Sequence, residues 1–474
     1  MFVFIRNVQQ LSVKACELKK NDVIKLQVTD LAYGGRGVAE EGGKVVFVEK
    51  GLPGDILDVR IKKVKPDYCE GVTERIIQPS PHRCEPLCQH FGICGGCRWQ
   101  NYNYNMQLKF KADQLKESLM RIGGLSNPPV EPIIGAKKIY FYRNKMEFSF
   151  NRDKNNNNLL GLHQTGFFDR VFDLNKCYLQ SELSNEIVKF VKDECHRLHL
   201  PAYHIRNHDG LMRFLVIRES KFDSGVLVNI VTGKDYHGYE DSIVELGKNL
   251  ADRFNRIESL LWTINSKKAN IAKWDMYPEK LKNGILYGRD HIYEKLGRYR
   301  FRVSADSFFQ TNPYQAQILY DTVVDYGQLS GLDDVCDLYC GTGTISVYIS
   351  GLVRSVVGVE SVAQAVFDAR INAEENGLNN VDFIVGNVED IIFELRKFNK
   401  VILDPPRAGL HPKALEKIVE ISPEIVVYVS CNPTTLARDI AGFIQNGYNL
   451  QRAVAVDMFP HTYHIESVVK LVHR

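Results

Sequence analysis

The chain reads as multidomain: an N-terminal β-barrel of the oligonucleotide-binding type over residues 1–79, an α+β central domain with a cysteine cluster over 80–302, and a C-terminal α/β Rossmann-like domain over 303–474. Three observations predict this. The 474 residues match about three domains of roughly 100–200 residues. Residues 20–78 alternate apolar and polar positions between Gly34-Gly35, Gly42-Gly43 and Pro53-Gly54, the signature of short strands joined by glycine turns. From about residue 313, the apolar runs VCDLYC, VVGVE, VDFIVG, KVILDPP and IVVYVS alternate with helical segments, the pattern of a doubly wound parallel sheet.

Hydrophobic residues at 44% and charged residues at 25% are globular values and exclude disordered or collagen-like classes. No apolar run reaches the roughly 18 residues of a membrane span. The start, MFVFIRNVQQ, has four apolar residues between Met1 and Arg6, fewer than the roughly 7–15 of a signal sequence. The expected location is cytoplasmic, with no membrane partner and no protein partner inferable. A net charge of +3 is too small to point to nucleic acid by itself. The 11 cysteines are an odd number, so metal or catalytic use is expected before a disulfide scaffold.

In the barrel, five strands are expected, and Arg60, Lys62, Lys63 and Lys65 gather on one strand and its end. They read as a nucleic-acid contact or as a solvated edge that discourages aggregation. The segment PSPH at 79–82 reads as a linker, and residues 83–100 hold Cys84, Cys88, Cys94 and Cys97. A helix is expected from about Tyr104 to Ile122, stopped by Gly123-Gly124. Between Arg98 and Lys145, nine basic residues face three acidic ones and interleave with Trp99, Tyr102, Tyr104, Tyr140, Phe141 and Tyr142. Such residues hold phosphates and stack on bases, unless the aromatics are core. Further on, EFSFN, FLVIRES, VLVNIVT and SLLWTIN read as strands, and 182–199 and 240–255 as helices.

The chemistry-bearing segments lie in the C-terminal domain. DLYCGTGTIS (337–346) follows a strand and opens a helix, with Gly341 and Gly343 in the turn; glycine there lets a ligand approach the backbone. Glu360 ends the next strand, placed to accept hydrogen bonds from ribose hydroxyls. The full G-x-G-x-x-G fingerprint is missing, which disfavours a dinucleotide and favours S-adenosylmethionine, a ligand without a pyrophosphate. LDPPRAGL (403–410) puts Asp404, and VSCNPTTL (429–436) puts Cys431, at two further strand ends. Ligands bind at those carboxyl ends. Cys431 there reads as a nucleophile or as a buried small thiol.

Together CxxxCxxxxxCxxC (84–97), FFQTN, DLYCGTG, DPPR, SCNP and HIESV closely resemble the RNA (uracil-5-)-methyltransferases of the TrmA/RumA (RlmD) type. The glycine-rich barrel resembles their TRAM domain, and the likeness runs from about residue 20 to the end. The resemblance implies that Gln310, Tyr339, Glu360 and Asp404, with Thr344 and Asn387, contact S-adenosylmethionine. It implies that Cys431 is the nucleophile and Glu466 the base. It implies that Cys88, Cys94, Cys97 and Cys177 hold a [4Fe-4S] cluster with a structural or RNA-positioning role; Cys84 lies outside that pattern. Spacing alone fits a zinc site equally well. His461 and His464 are expected to contact RNA or pack in the core rather than bind metal.

The implied reaction is methylation of uridine C5 in 23S ribosomal RNA, giving 5-methyluridine. Transfer RNA, or two ribosomal sites, is the alternative. Two further readings are a radical S-adenosylmethionine methylthiotransferase, which the position of the cysteines disfavours, and a non-catalytic RNA-binding ribosome-assembly factor, which intact Cys431, Glu466 and Asp404 disfavour.

Overall fold

The computed structural model describes residues 18–223, 225–391 and 398–474. The first 17 residues of the expected barrel domain lie outside the described residues. The chain packs as two units. The first comprises residues up to Phe91 with Gly96–Gln114 and Phe459–His464; the second comprises Gly92–Gly95, Leu115–Met458 and Ile465–Arg474.

The first unit carries a six-stranded sheet in the order β1-β5-β6-β4-β3-β2. Its strands are β1 (Val23–Gln27), β2 (Asp30–Leu31), β3 (Gly37–Glu41), β4 (Lys44–Glu49), β5 (Ile56–Val64) and β6 (Tyr68–Gln78). Five were expected; the sixth is the two-residue β2, too short to show a period. Leu26, Val46, Val48, Leu57, Val59 and Ile61 form the core of the sheet. Arg60 is paired with Glu74, while Lys62, Lys63 and Lys65 are exposed.

Asp55 organises the sheet's exit. It is fully buried, accepts from the backbone N–H of Leu52 at 2.6 Å and of Ser80 at 2.8 Å, and holds the Arg83 guanidinium through both oxygens at 2.7 and 2.6 Å. Removing one partner of a buried ion pair strands the other. Asp55→Ala is therefore expected to destabilise this unit by about 3–5 kcal/mol, read as protease cleavage confined to residues before about 114 at a denaturant concentration that spares the wild type. Wild-type resistance would refute it.

The helix after the cysteines, α1 (Tyr104–Arg121), forms as expected. Of the interleaved aromatics, Trp99, Tyr102 and Tyr142 are buried and serve as core, not as stacking platforms.

The second unit begins with a seven-stranded sheet in the order β13-β12-β11-β10-β7-β8-β9. Its strands are β7 (Lys145–Arg152), β8 (Asn158–His163), β9 (Val171–Asp173), β10 (Met212–Glu219), β11 (Val226–Thr232), β12 (Ile257–Ile264) and β13 (Ile285–Gly288). Helices α2 (Glu182–Arg197) and α3 (Glu240–Arg253) match the expected spans. A hairpin, β14 (His291–Leu296) with β15 (Tyr299–Ser304), leads onward.

The last sheet is β16 (Asp334–Leu338), β17 (Ser355–Glu360), β18 (Val381–Val385), β19 (Lys400–Leu403), β20 (Ile425–Ser430), β21 (Tyr448–Val456) and β22 (Glu466–His473), ordered β18-β17-β16-β19-β20-β22-β21. The first five are mutually parallel; β22 runs antiparallel between β20 and β21. The helices are α4 (Pro313–Gly327), α5 (Thr344–Ile349), α6 (Ala363–Glu375), α7 (Val388–Ile391), α8 (Pro412–Ile421) and α9 (Pro433–Gln445). Val335, Leu338, Val356, Val359, Val401, Leu403, Val426 and Val429 are all buried, as continuous apolar runs in a sheet covered on both faces require. The sheet order reverses at β16, between its neighbours β17 and β19, and that is where an open sheet leaves a crevice at its carboxyl edge.

Candidate active site

Three chain features converge on this edge. The first is the turn after β16. Tyr339, Gly341 and Gly343 have φ of 64°, 55° and 72°. A tyrosine there is strained, a state kept at sites with a task. No atom stands within 4 Å of where a Cβ on Gly341 would be, so one face of the turn is open to a ligand. A Cβ on Gly343 would meet Phe383 at 2.6 Å, so that glycine serves packing. Glu360 closes the turn: its carboxylate accepts from Gly341 N–H at 3.2 Å and from Val362 N–H at 2.9 Å. Asp337, fully buried, accepts from Ser346 Oγ through one oxygen, while the other has no hydrogen-bond partner among the described residues. Burial pushes the Asp337 carboxyl up to about 7.

The second feature is the pair of turns after β19 and β20. Asp404 follows β19 directly, its N–H donating to Leu338 O at 3.3 Å. Burial, with the charge of Asp337 adding to it, pushes Asp404 up to about 7. Cys431 follows β20. Asn432 caps α9 and donates through Nδ2 to Arg407 O at 3.1 Å, tying the two turns together.

The third feature is β22. Ser430 pairs with Ser467 in antiparallel register, so Cys431 and Glu466 are opposite each other across the strand pair. Glu466 is buried; desolvation, with Asp404 adding and Arg407 opposing, holds its carboxyl well above the usual carboxylate range. Burial also raises the Cys431 thiol, as do the charges of Glu466 and Asp404. Arg407 opposes this by hydrogen-bonding Cys431 and by its positive charge.

The edge thus gathers Tyr339, Glu360, Asp404, Cys431 and Glu466. Gln310 lies on the segment before α4, half-buried, its carbonyl accepting from Asn144 Nδ2 at 3.2 Å. Thr344 opens α5 and shares its hydroxyl with Tyr320 OH at 2.9 Å. Asn387 is exposed after β18 and donates to Asp390 Oδ2 in α7 at 3.0 Å. Asp337 and Arg407 carry no assignment from sequence alone. Both stood inside quoted motifs, and the signal for Arg407 was its place after two prolines at a strand end.

An open glycine turn, an orphaned buried carboxylate oxygen and two further carboxylates fit S-adenosylmethionine, whose α-ammonium, ribose and sulfonium need acceptors and negative charge. The iron–sulfur expectation finds no support in the structure. Among the described residues, no group of three or more histidine, cysteine or carboxylate residues is placed to hold a metal ion. Gln100 accepts from Cys88 N–H at 3.1 Å and donates to Cys97 Sγ at 3.2 Å. Cys177 is buried, with its N–H and carbonyl bonded to the Asn185 side chain at 2.8 and 3.0 Å. His461 is core, as expected: its ring lies 3.3 Å from Gln107 Nε2, and its carbonyl accepts from Arg98 and Trp99 N–H.

Comparison with known proteins gives the site a family context. Residues 248–474 match the family model described as tRNA (Uracil-5-)-methyltransferase, and residues 17–73 match the TRAM domain. An uncharacterized RNA methyltransferase of Caldanaerobacter subterraneus is 38% identical over 95% of this chain and 99% of its own. One from Bacteroides thetaiotaomicron is 38% identical over 93% and 99%. The crystal structure of Pyrococcus abyssi tRNA (uracil-54, C5)-methyltransferase in complex with S-adenosyl-L-homocysteine is 30% identical, with a TM-score of 0.76 over 94% of this chain and 99% of that one. Among the described residues, no helix is long and apolar enough to cross a membrane.

Proposed function

The chain belongs to the RNA uracil-5 methyltransferase family, and on that premise we propose that it methylates C5 of a uridine in 23S ribosomal RNA through a covalent Cys431–C6 adduct. The observation that carries this reading is the opposition of Cys431 and Glu466 across β20 and β22, with Arg407 on the thiol.

Uracil C5 is a weak nucleophile. Attack of the Cys431 thiolate on C6 forms an S–C6 bond and moves the C5=C6 electrons toward O4, making C5 an enolate carbon. Arg407 stabilises the thiolate that this attack needs. S-adenosylmethionine, when bound, supplies an electrophilic methyl group, held by Gln310, Tyr339, Glu360 and Asp404. Once C5 carries the methyl group, Glu466 takes the C5 proton, the electron pair restores C5=C6, and the Cys431 thiolate leaves. Flipping the base out of folded RNA costs a few kcal/mol, and the exposed Lys62, Lys63 and Lys65 of the TRAM domain contribute phosphate contacts that offset it.

Both catalytic groups act ionised and both are pushed up, so kcat/KM is expected to rise with pH through neutrality and into the alkaline range. Arg407→Met removes the opposing cation and is expected to move that rise upward by about one pH unit. An unmoved profile would take Arg407 out of the scheme.

The test is nucleoside mass spectrometry after incubation with methyl-labelled S-adenosylmethionine and unmodified 23S ribosomal and transfer RNA. Labelled 5-methyluridine in the ribosomal fraction is expected. Label in transfer RNA alone would favour the second reading, which the likeness to the Pyrococcus abyssi enzyme supports. No label in either would overturn both.

A further inference from the structure

The segment from Ala305 to Asn312 joins β15 to α4 and carries Gln310. It has no regular structure of its own, yet its carbonyls are taken one after another by other elements. Arg218, buried on β10, donates through Nε to Ala305 O at 3.2 Å and through its terminal nitrogen to Ser307 O. Thr342 in the glycine turn donates to Phe308 O at 3.0 Å. Asn144 donates through Nδ2 to Gln310 O at 3.2 Å and through its backbone N–H to Thr311 O at 2.9 Å. Asn312 and Gln315 then donate to Met458 O at 2.8 Å and Asp457 O at 3.1 Å.

Asn144 and Arg218 are neighbours in the central sheet. Arg218 pairs with Lys145, the residue after Asn144, and Asn144 O accepts from Glu219 N–H at 2.8 Å. A buried arginine that spends its donors on loop carbonyls pays in desolvation, which lowers its pKa to about 10. That cost is hard to account for by packing alone, since an apolar side chain would fill the space without it. Backbone held from one side leaves the Gln310 side chain, half-buried, free to point elsewhere.

We propose that Asn144, supported by Arg218, is a positioning residue of the central sheet that sets Gln310 for cofactor binding. The inference rests on the reading of Gln310 as a cofactor contact. Loss of the Asn144 donor leaves Gln310 O without its partner and lets the loop slacken, which weakens cofactor binding through Gln310 and not otherwise.

The experiment is a double-mutant cycle read by titration calorimetry of S-adenosylhomocysteine with the full chain, beside steady-state kinetics. Asn144→Ala is expected to raise the dissociation constant about tenfold and to raise KM for S-adenosylmethionine, with KM for RNA unchanged. Asn144→Asp, which turns an acceptor toward the carbonyl, is expected to be worse. Asn144→Ser, which keeps a small donor, is expected to bind at least threefold more tightly than Asn144→Ala and serves if Asn144→Ala does not fold. The decisive outcome is non-additivity: Asn144→Ala in a Gln310→Ala background is expected to cost nothing further. Additive losses, or wild-type binding by Asn144→Ala, would overturn the proposal while leaving the site intact. Wild-type binding by Gln310→Ala would overturn the proposal together with the assignment of Gln310.

Discussion

Cys431→Ala is expected to lower methyl transfer by a factor on the order of 10⁴ or more, the scale on which an enzyme loses its nucleophile. The loss has a single cause, because among the described residues no other thiol sits opposite Glu466: Cys340 is buried after β16, with its thiol raised well above the usual range by burial. RNA containing 5-fluorouridine checks the covalent step, since fluorine at C5 leaves no proton for Glu466 to remove. The wild type is expected to accumulate a protein–RNA adduct stable to denaturing electrophoresis, and Cys431→Ala to form none. The variant should still bind S-adenosylhomocysteine. A Cys431→Ala protein that methylates RNA would remove the covalent mechanism altogether.

Glu466→Gln separates the second half of the reaction from the first. A positioned base contributes roughly 10²–10⁴, so turnover is expected to fall by that range while one methyl group per chain is still transferred in a burst. The methylated adduct should persist, because the proton on C5 has no acceptor. The substitution also removes the negative charge that, where Glu466 is ionised, raises the Cys431 thiol, so adduct formation at alkaline pH is expected to quicken. Stability moves in a calculable direction. Glu466 holds its proton to higher pH folded than unfolded, so the folded state binds more protons and stability declines as pH rises above the usual carboxylate range. Glu466→Gln removes that decline. Its melting temperature should exceed the wild type's at pH 8 and match it near pH 4. A variant with unchanged kcat and no burst would assign the proton to another acceptor.

Much of the site was legible because it is built from strand ends. Gly341, Glu360, Asp404 and Cys431 each follow a short apolar run, and parallel strands put their carboxyl ends on one edge. Glu466 was legible only through the family motif. It opens an antiparallel strand inserted between β20 and β21, an arrangement that local periodicity does not encode. The cysteine cluster shows a related limit: spacing lists donors but does not by itself bring them together. Trp99, Tyr102 and Tyr142 show the same limit, since an aromatic beside lysines reads alike whether it stacks on a base or fills a core.

By itself, the sequence determined the parallel sheet, the glycine turn and the place of Cys431 at a strand end, because each rests on residues adjacent in the chain. Tertiary structure alone decided that Glu466 faces Cys431, that Arg407 and Asp404 set their ionisation from opposite sides, and that Asn144 and Arg218 carry the Gln310 segment. Desolvation and charge act through space, and the distances they depend on are fixed only when the β-sheets close around these groups.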